Sequence, residues 1–87
     1  MNRTCFFRSF SSPIGRIYVA EADGRLVAMG IRQSESEFRE CLVRCGFRIS
    51  GGSTALLDLA QRQIEEYLAG SRMEFDIPIE VLGTPFQ

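Results

Sequence analysis

An α+β fold is what this sequence predicts, on three observations. Hydrophobic alternation of period two fills the first third of the chain, a period near 3.6 replaces it from Phe38 onward, and an Asp23-Gly24 pair of hairpin-turn type separates two of the alternating runs. With 87 residues, the chain has room for one hydrophobic core. Its hydrophobic fraction of 45% and charged fraction of 24% sit near globular averages, so one folded domain is expected rather than a disordered segment.

The first element is the aromatic run Cys5-Phe6-Phe7-Arg8-Ser9-Phe10, which reads as a strand. It ends in Ser11-Ser12-Pro13-Ile14-Gly15, where Pro fixes φ and Gly permits a positive one. Arg16 to Ala22 alternates as a second strand, and Asp23-Gly24 turns it into a third, Arg25 to Ile31. The result is a three-stranded antiparallel meander. Phe38, Cys41, Leu42 and Cys45 then fall on one helical face, with Ser34 and Glu37 spaced as a capping box and Gly46 placed to end the helix.

A short Phe47-Arg48-Ile49 segment leads into a Gly51-Gly52 loop. Ser53 or Thr54 caps a second helix whose stripe is Leu56, Leu57, Ala60, Ile64, Tyr67 and Leu68, ending at Gly70. Phe75 to Ile79 alternates as a late strand, and Pro78, lacking a donor, confines it to a sheet edge. The meander is thus flanked by two helices and followed by a late edge strand. In Gly83-Thr84-Pro85-Phe86-Gln87 an N-cap Thr precedes Pro at a first helical position, so a third helix is expected to begin there. This divides the chain into a scaffold domain over residues 1–82 and the start of a following helix over residues 83–87.

Charge and composition exclude several function classes. The formal net charge of -1 does not supply the basic field by which a domain grips a phosphate backbone unaided. All 10 positive charges are Arg, scattered from Arg3 to Arg72, which reads as a solvated surface. No apolar run approaches the ~20 residues that span a bilayer, so no membrane partner is expected. The 3 cysteines form no short spaced framework, which points to a reducing, cytoplasmic compartment.

The candidate chemistry is thin. Cys41 and Cys45 are spaced so that both thiols can face one ion, but a structural zinc site needs four ligands and the chain has 0 His. Their place beside Phe38 and Leu42 favours core packing, with a thiol metal or redox sensor as the weaker alternative. Glu65 and Glu66 are adjacent and point different ways on a helix, while Glu21, Asp23 and Asp76 can approach one another only if the late strand pairs with the meander, and Asp23 is needed by its turn. Gly51-Gly52-Ser53-Thr54 before a helix is the nearest approach to an anion loop, without the spaced glycines and Lys of a phosphate-binding loop. No catalytic, cofactor-binding or metal-binding residue is therefore assigned.

Five strings occur in a meaningful order: Ser12-Pro13-Ile14-Gly15-Arg16-Ile17, Asp23-Gly24-Arg25-Leu26, Gln63-Ile64-Glu65-Glu66-Tyr67-Leu68-Ala69-Gly70, Phe75-Asp76-Ile77-Pro78-Ile79 and Gly83-Thr84-Pro85-Phe86-Gln87. Together they resemble the amino-terminal domain of the O6-alkylguanine-DNA alkyltransferases, the methylated-DNA-protein-cysteine methyltransferases, over nearly the whole chain. The resemblance implies a ribonuclease-H-like domain that serves as a scaffold without nuclease activity. In that family the following domain binds DNA through a helix-turn-helix, flips the alkylated guanine, and accepts the alkyl group irreversibly on a Cys of a Pro-Cys-His-Arg motif. Nothing here matches that motif, and the zinc site some relatives build from Cys and His has no His to use.

The function this implies is the scaffold half of a DNA-repair alkyltransferase, inactive alone, with the carboxy-terminal catalytic domain as its partner and alkylated DNA met only through that domain. No cofactor is expected. Ile77, Ile79, Val81, Leu82 and Phe86 make the segment from Phe75 onward more apolar than one edge strand needs, so they are the expected interdomain junction, and the isolated domain is expected to self-associate through it. A stand-alone, non-catalytic binding module of the same fold is the alternative.

Overall fold

The computed structural model describes residues 3–72, 74, 76 and 77. Its period-two runs form β1 (Arg3–Phe10), β2 (Ile17–Ala22) and β3 (Arg25–Ile31), paired antiparallel as a meander. The first hairpin closes through mutual backbone bonds between Ser12 and Gly15 at 3.0 and 3.1 Å. In the second, Asp23 (φ 53°) and Gly24 (φ 77°) both take positive φ, the requirement of the hairpin turn whose twist matches its strands.

The helical period forms α1 (Glu35–Arg44) and α2 (Ala55–Leu68). The capping box on α1 is complete: Glu37 N donates to Ser34 Oγ at 3.1 Å, and Ser34 N donates to Glu37 Oε1 at 2.9 Å. Gly46, at φ 92°, ends the helix. Of the two candidate caps for α2 the structure selects Thr54, whose Oγ1 accepts from Leu57 N at 3.2 Å.

The segment after α1 is more than a connection. Phe47–Ser50 is a fourth strand, β4, lying parallel to β1 with Arg3 opposite Phe47 and Phe6 opposite Ser50. The sheet is therefore mixed, in the order β3-β2-β1-β4, and α1 is the crossover that carries the chain from one edge to the other. Of the expected late strand, only Asp76 and Ile77 are described. The remainder of it and the third helix lie outside the described residues.

The sheet separates two cores. On one face Cys5, Tyr18, Ala20, Ala22, Val27, Ala28 and Phe47 pack with Phe38 and Leu42 of α1. Phe38 stacks on Tyr18 at 5.3 Å between ring centroids and meets Phe7 at 5.8 Å. On the other face Phe10, Ile17, Val19 and Leu26 pack with Leu57, Ala60 and Ile64 of α2, and Ile77 joins them. Covered on both sides, β2 is buried at every residue, which makes it the centre of a helix-sheet-helix sandwich. A bulge opposite Ala20 lets Val27 and Ala28 both serve the α1 face.

Candidate functional site

The three thiols are the strongest nucleophiles in the chain. Cys5 is fully buried in the α1-side core, where desolvation, and then the charge of Glu21, push its thiol up. A buried, protonated thiol is inert. Cys41 is half-buried and Cys45 exposed, which corrects the expectation that both pack in the core. Helix α1 ends at Arg44 and leaves Cys45 as its C-cap, so only Phe38 and Leu42 of that stripe are buried. Partial desolvation and the adjoining Cys41 thiol raise the Cys45 thiol, with Arg44 pulling weakly the other way.

The carboxylates do not converge. Glu21, though buried, accepts from Gly24 N at 3.2 Å and so ties down its own hairpin. Asp23 pairs with Arg3 at 2.8 Å, and Asp76 faces Arg72 at 3.4 Å. Among the described residues no group of three or more His, Cys, Asp or Glu side chains could hold a metal ion. The Gly51-to-Thr54 loop is likewise occupied. Arg8 donates through Nη2 to Ser53 Oγ and pairs with Asp58 at 2.6 Å, so an acid already stands at the positive end of α2.

Two latches that the sequence reading missed position the elements. Arg8 shares a face of β1 with Phe6 and Phe10, and reaches α2 at Asp58 and, at 3.1 Å, Gln61 Oε1. The signal was present: a strand face otherwise made of Phe can carry an Arg only where that Arg finds partners. The second latch holds the chain after α2. Arg72 Nε donates to Glu66 Oε1 at 2.9 Å, Arg72 Nη1 to Glu74 O at 2.9 Å, and the backbone N of Asp76 donates to the buried Gln63 Oε1 at 2.9 Å.

This second latch sets the position of Ile77. That residue, one of the five expected at a junction, is 7% exposed and packs in the α2-side core of the domain. Ile79, Val81, Leu82 and Phe86 lie outside the described residues. Among the described residues the exposed large apolar side chains are Ile14, Ile31, Val43 and Tyr67. Arg39 pairs with Glu35 at 2.9 Å on the surface of α1. No helix among the described residues is long and apolar enough to cross a membrane.

Residues 5–81 match the family described as 6-O-methylguanine DNA methyltransferase, ribonuclease-like domain. The chain is 28% identical over 83 residues to the constitutive methylated-DNA-protein-cysteine methyltransferase of Bacillus subtilis (strain 168), an alignment covering 94% of this chain and 48% of that protein. It therefore spans about half the length of that curated relative. The crystal structure of Mycobacterium tuberculosis O6-methylguanine methyltransferase has the same fold, with a TM-score of 0.64 at 24% identity over 94% of this chain and 46% of that one. For the Mycobacterium tuberculosis protein in complex with DNA the TM-score is 0.63 at 26% identity, over 93% of this chain and 44% of that one.

Proposed function

The chain belongs to the 6-O-methylguanine DNA methyltransferase ribonuclease-like domain family, and from that membership we propose that it is the scaffold half of a DNA-repair alkyltransferase. Its task in this reading is to support a catalytic domain that carries the alkyl-acceptor Cys and meets the alkylated DNA. The observation that carries the reading is the family match over residues 5–81, coupled to a sandwich in which Arg8, Gln63 and Arg72 hold the elements to one another. Cys5 is sequestered and Cys45 has a raised pKa, so neither resembles a thiolate poised to attack an alkyl group.

A scaffold contributes by fixing geometry. A catalytic group displaced by ~1 Å can lose ~100-fold in rate, so a rigid support is a catalytic requirement even when it touches no substrate. The Gln63 and Arg72 latches suit this role because they hold Glu74 and Asp76, the latter next to Ile77, against α2. In this reading Ile79, Val81, Leu82 and Phe86 form the junction with the catalytic domain, the whole protein is cytoplasmic, and the isolated domain self-associates through the uncovered junction. A clean monomer at high concentration in sedimentation would remove the self-association.

The first test is the mass of the native gene product, detected in its source cells with an antibody against this domain. A product well above 9.8 kDa is expected. A match to 9.8 kDa would replace the scaffold reading with that of a stand-alone module. The second test incubates this chain with DNA carrying labelled O6-methylguanine. No label should reach the chain, and stoichiometric labelling of any of its cysteines would overturn the assignment of the chemistry to another domain.

A further inference from the structure

Cys41 and Cys45 are the metal-ligating pair that the scaffold reading leaves unused. The backbone bond from Cys45 N to Cys41 O, 3.1 Å, keeps them one helical turn apart on the same side of α1. At that spacing the backbone separation is ~6 Å, and the Cys41 thiol is near enough to help raise the Cys45 thiol. The pair is free of disulfide, half-buried at Cys41 and open to solvent at Cys45.

We propose that Cys41 and Cys45 form a two-thiolate binding site for a soft, low-coordinate metal ion of the Cu(I) class. The ligand count decides the ion. Structural zinc closes a tetrahedron of four ligands, whereas the chain has 0 His and no cluster of three or more ligating side chains among its described residues. Two sulfurs satisfy a soft monovalent ion that accepts linear coordination, and thiolate softness selects it over hard cations.

The reaction balances without an oxidant. Two thiols and one Cu(I) give an anionic bis-thiolate complex and two protons, which pass to solvent. The positive guanidinium of Arg44, whose charge already acts on Cys45, offsets the negative charge the complex acquires. Cys5 is fully buried on the sheet and takes no part.

The test titrates the reduced chain with Cu(I) under anaerobic conditions against the chromophoric chelator bicinchoninate. One equivalent should be withdrawn per chain, with two protons released, and a tenfold excess of Zn(II) should not displace it. Cys41→Ser and Cys45→Ser, both at partly or fully exposed positions, should retain the circular dichroism of the parent. Each should lower the apparent affinity by more than ~100-fold, beyond the ~10–100-fold that loss of an outer-shell partner costs. Cys5→Ala should leave the uptake unchanged. Stoichiometric uptake that survives Cys41→Ser or Cys45→Ser, displacement by Zn(II), one ion shared between two chains, or no uptake would each overturn the proposal.

Discussion

Replacing Arg8 tests whether the two layers on the α2 side are latched by one side chain. The guanidinium meets Asp58 at 2.6 Å and Gln61 at 3.1 Å and also bonds Ser53. The Arg8 side chain is 21% exposed but that of Asp58 is 69% exposed, so solvent screens the ion pair and it contributes at most ~1 kcal/mol. The bond from the charged guanidinium to the neutral, part-buried Gln61 amide adds ~1 kcal/mol. The aliphatic stem, held on the Phe6 and Phe10 face, adds about as much again.

Arg8→Ala should therefore cost about 2.5 kcal/mol, and Arg8→Met, which keeps a stem, about 1.5 kcal/mol. For a domain of this size each kcal/mol lowers Tm by ~4–8 °C, so Arg8→Ala should melt ~10–20 °C below the parent. Urea unfolding of Arg8→Met, Asp58→Ala and the double variant closes a thermodynamic cycle. A coupling below ~1 kcal/mol is expected, because Asp58 is mostly solvated. Arg8→Met within ~0.5 kcal/mol of the parent, or a coupling above ~2 kcal/mol, would refute the latch as described.

Three other outcomes check the cores and caps. Phe38→Ala empties the space between Tyr18, Phe7 and Leu42 and should cost ~4 kcal/mol in urea unfolding, a large share of the ~4–13 kcal/mol such a domain possesses. Thr54→Ala should cost ~1 kcal/mol and exceed Ser53→Ala, since Thr54 alone caps α2; the reverse order would place the cap wrongly. Burial raises the folded pKa of Cys5 above its ordinary 9.0. Above that pH the unfolded chain releases a proton that the folded chain retains, so stability should fall as pH rises. Cys5→Ala should flatten that alkaline limb in a denaturation series, and in the native parent a thiol reagent should label Cys45 and Cys41 well before Cys5.

The meander and both helices were legible because their signals are local. Asp23-Gly24 and the Ser34 to Glu37 box each specify a backbone conformation within four residues. The strand Phe47–Ser50 was not legible as a sheet member, since it is only 4 residues long and pairs parallel with β1, more than forty positions earlier in the sequence. Periodicity reports which face is apolar and says nothing about which strand lies alongside. The same limit misled the reading of Cys45: the stripe from Phe38 is real, but a helix ending at Arg44 leaves the last position of the stripe uncovered.

The side chains that break the apolar pattern are the ones that hold the layers in register. Arg8 on a Phe face and Gln63 beside Ala60 and Ile64 on the buried face of α2 both violate the binary pattern. Each would destabilise the fold if unpaired. In the structure Arg8 ties the sheet to α2, and Gln63 holds the chain at Asp76. A core needs neither bond in order to exist, because apolar side chains at both positions would bury as well. What a hydrophobic pair cannot do is fix one relative placement of its partners, since hydrophobic contact is non-directional whereas a hydrogen bond has a preferred length and angle. Those two positions are therefore where this domain gives up apolar burial for geometric definition, the property that the proposed scaffold role requires.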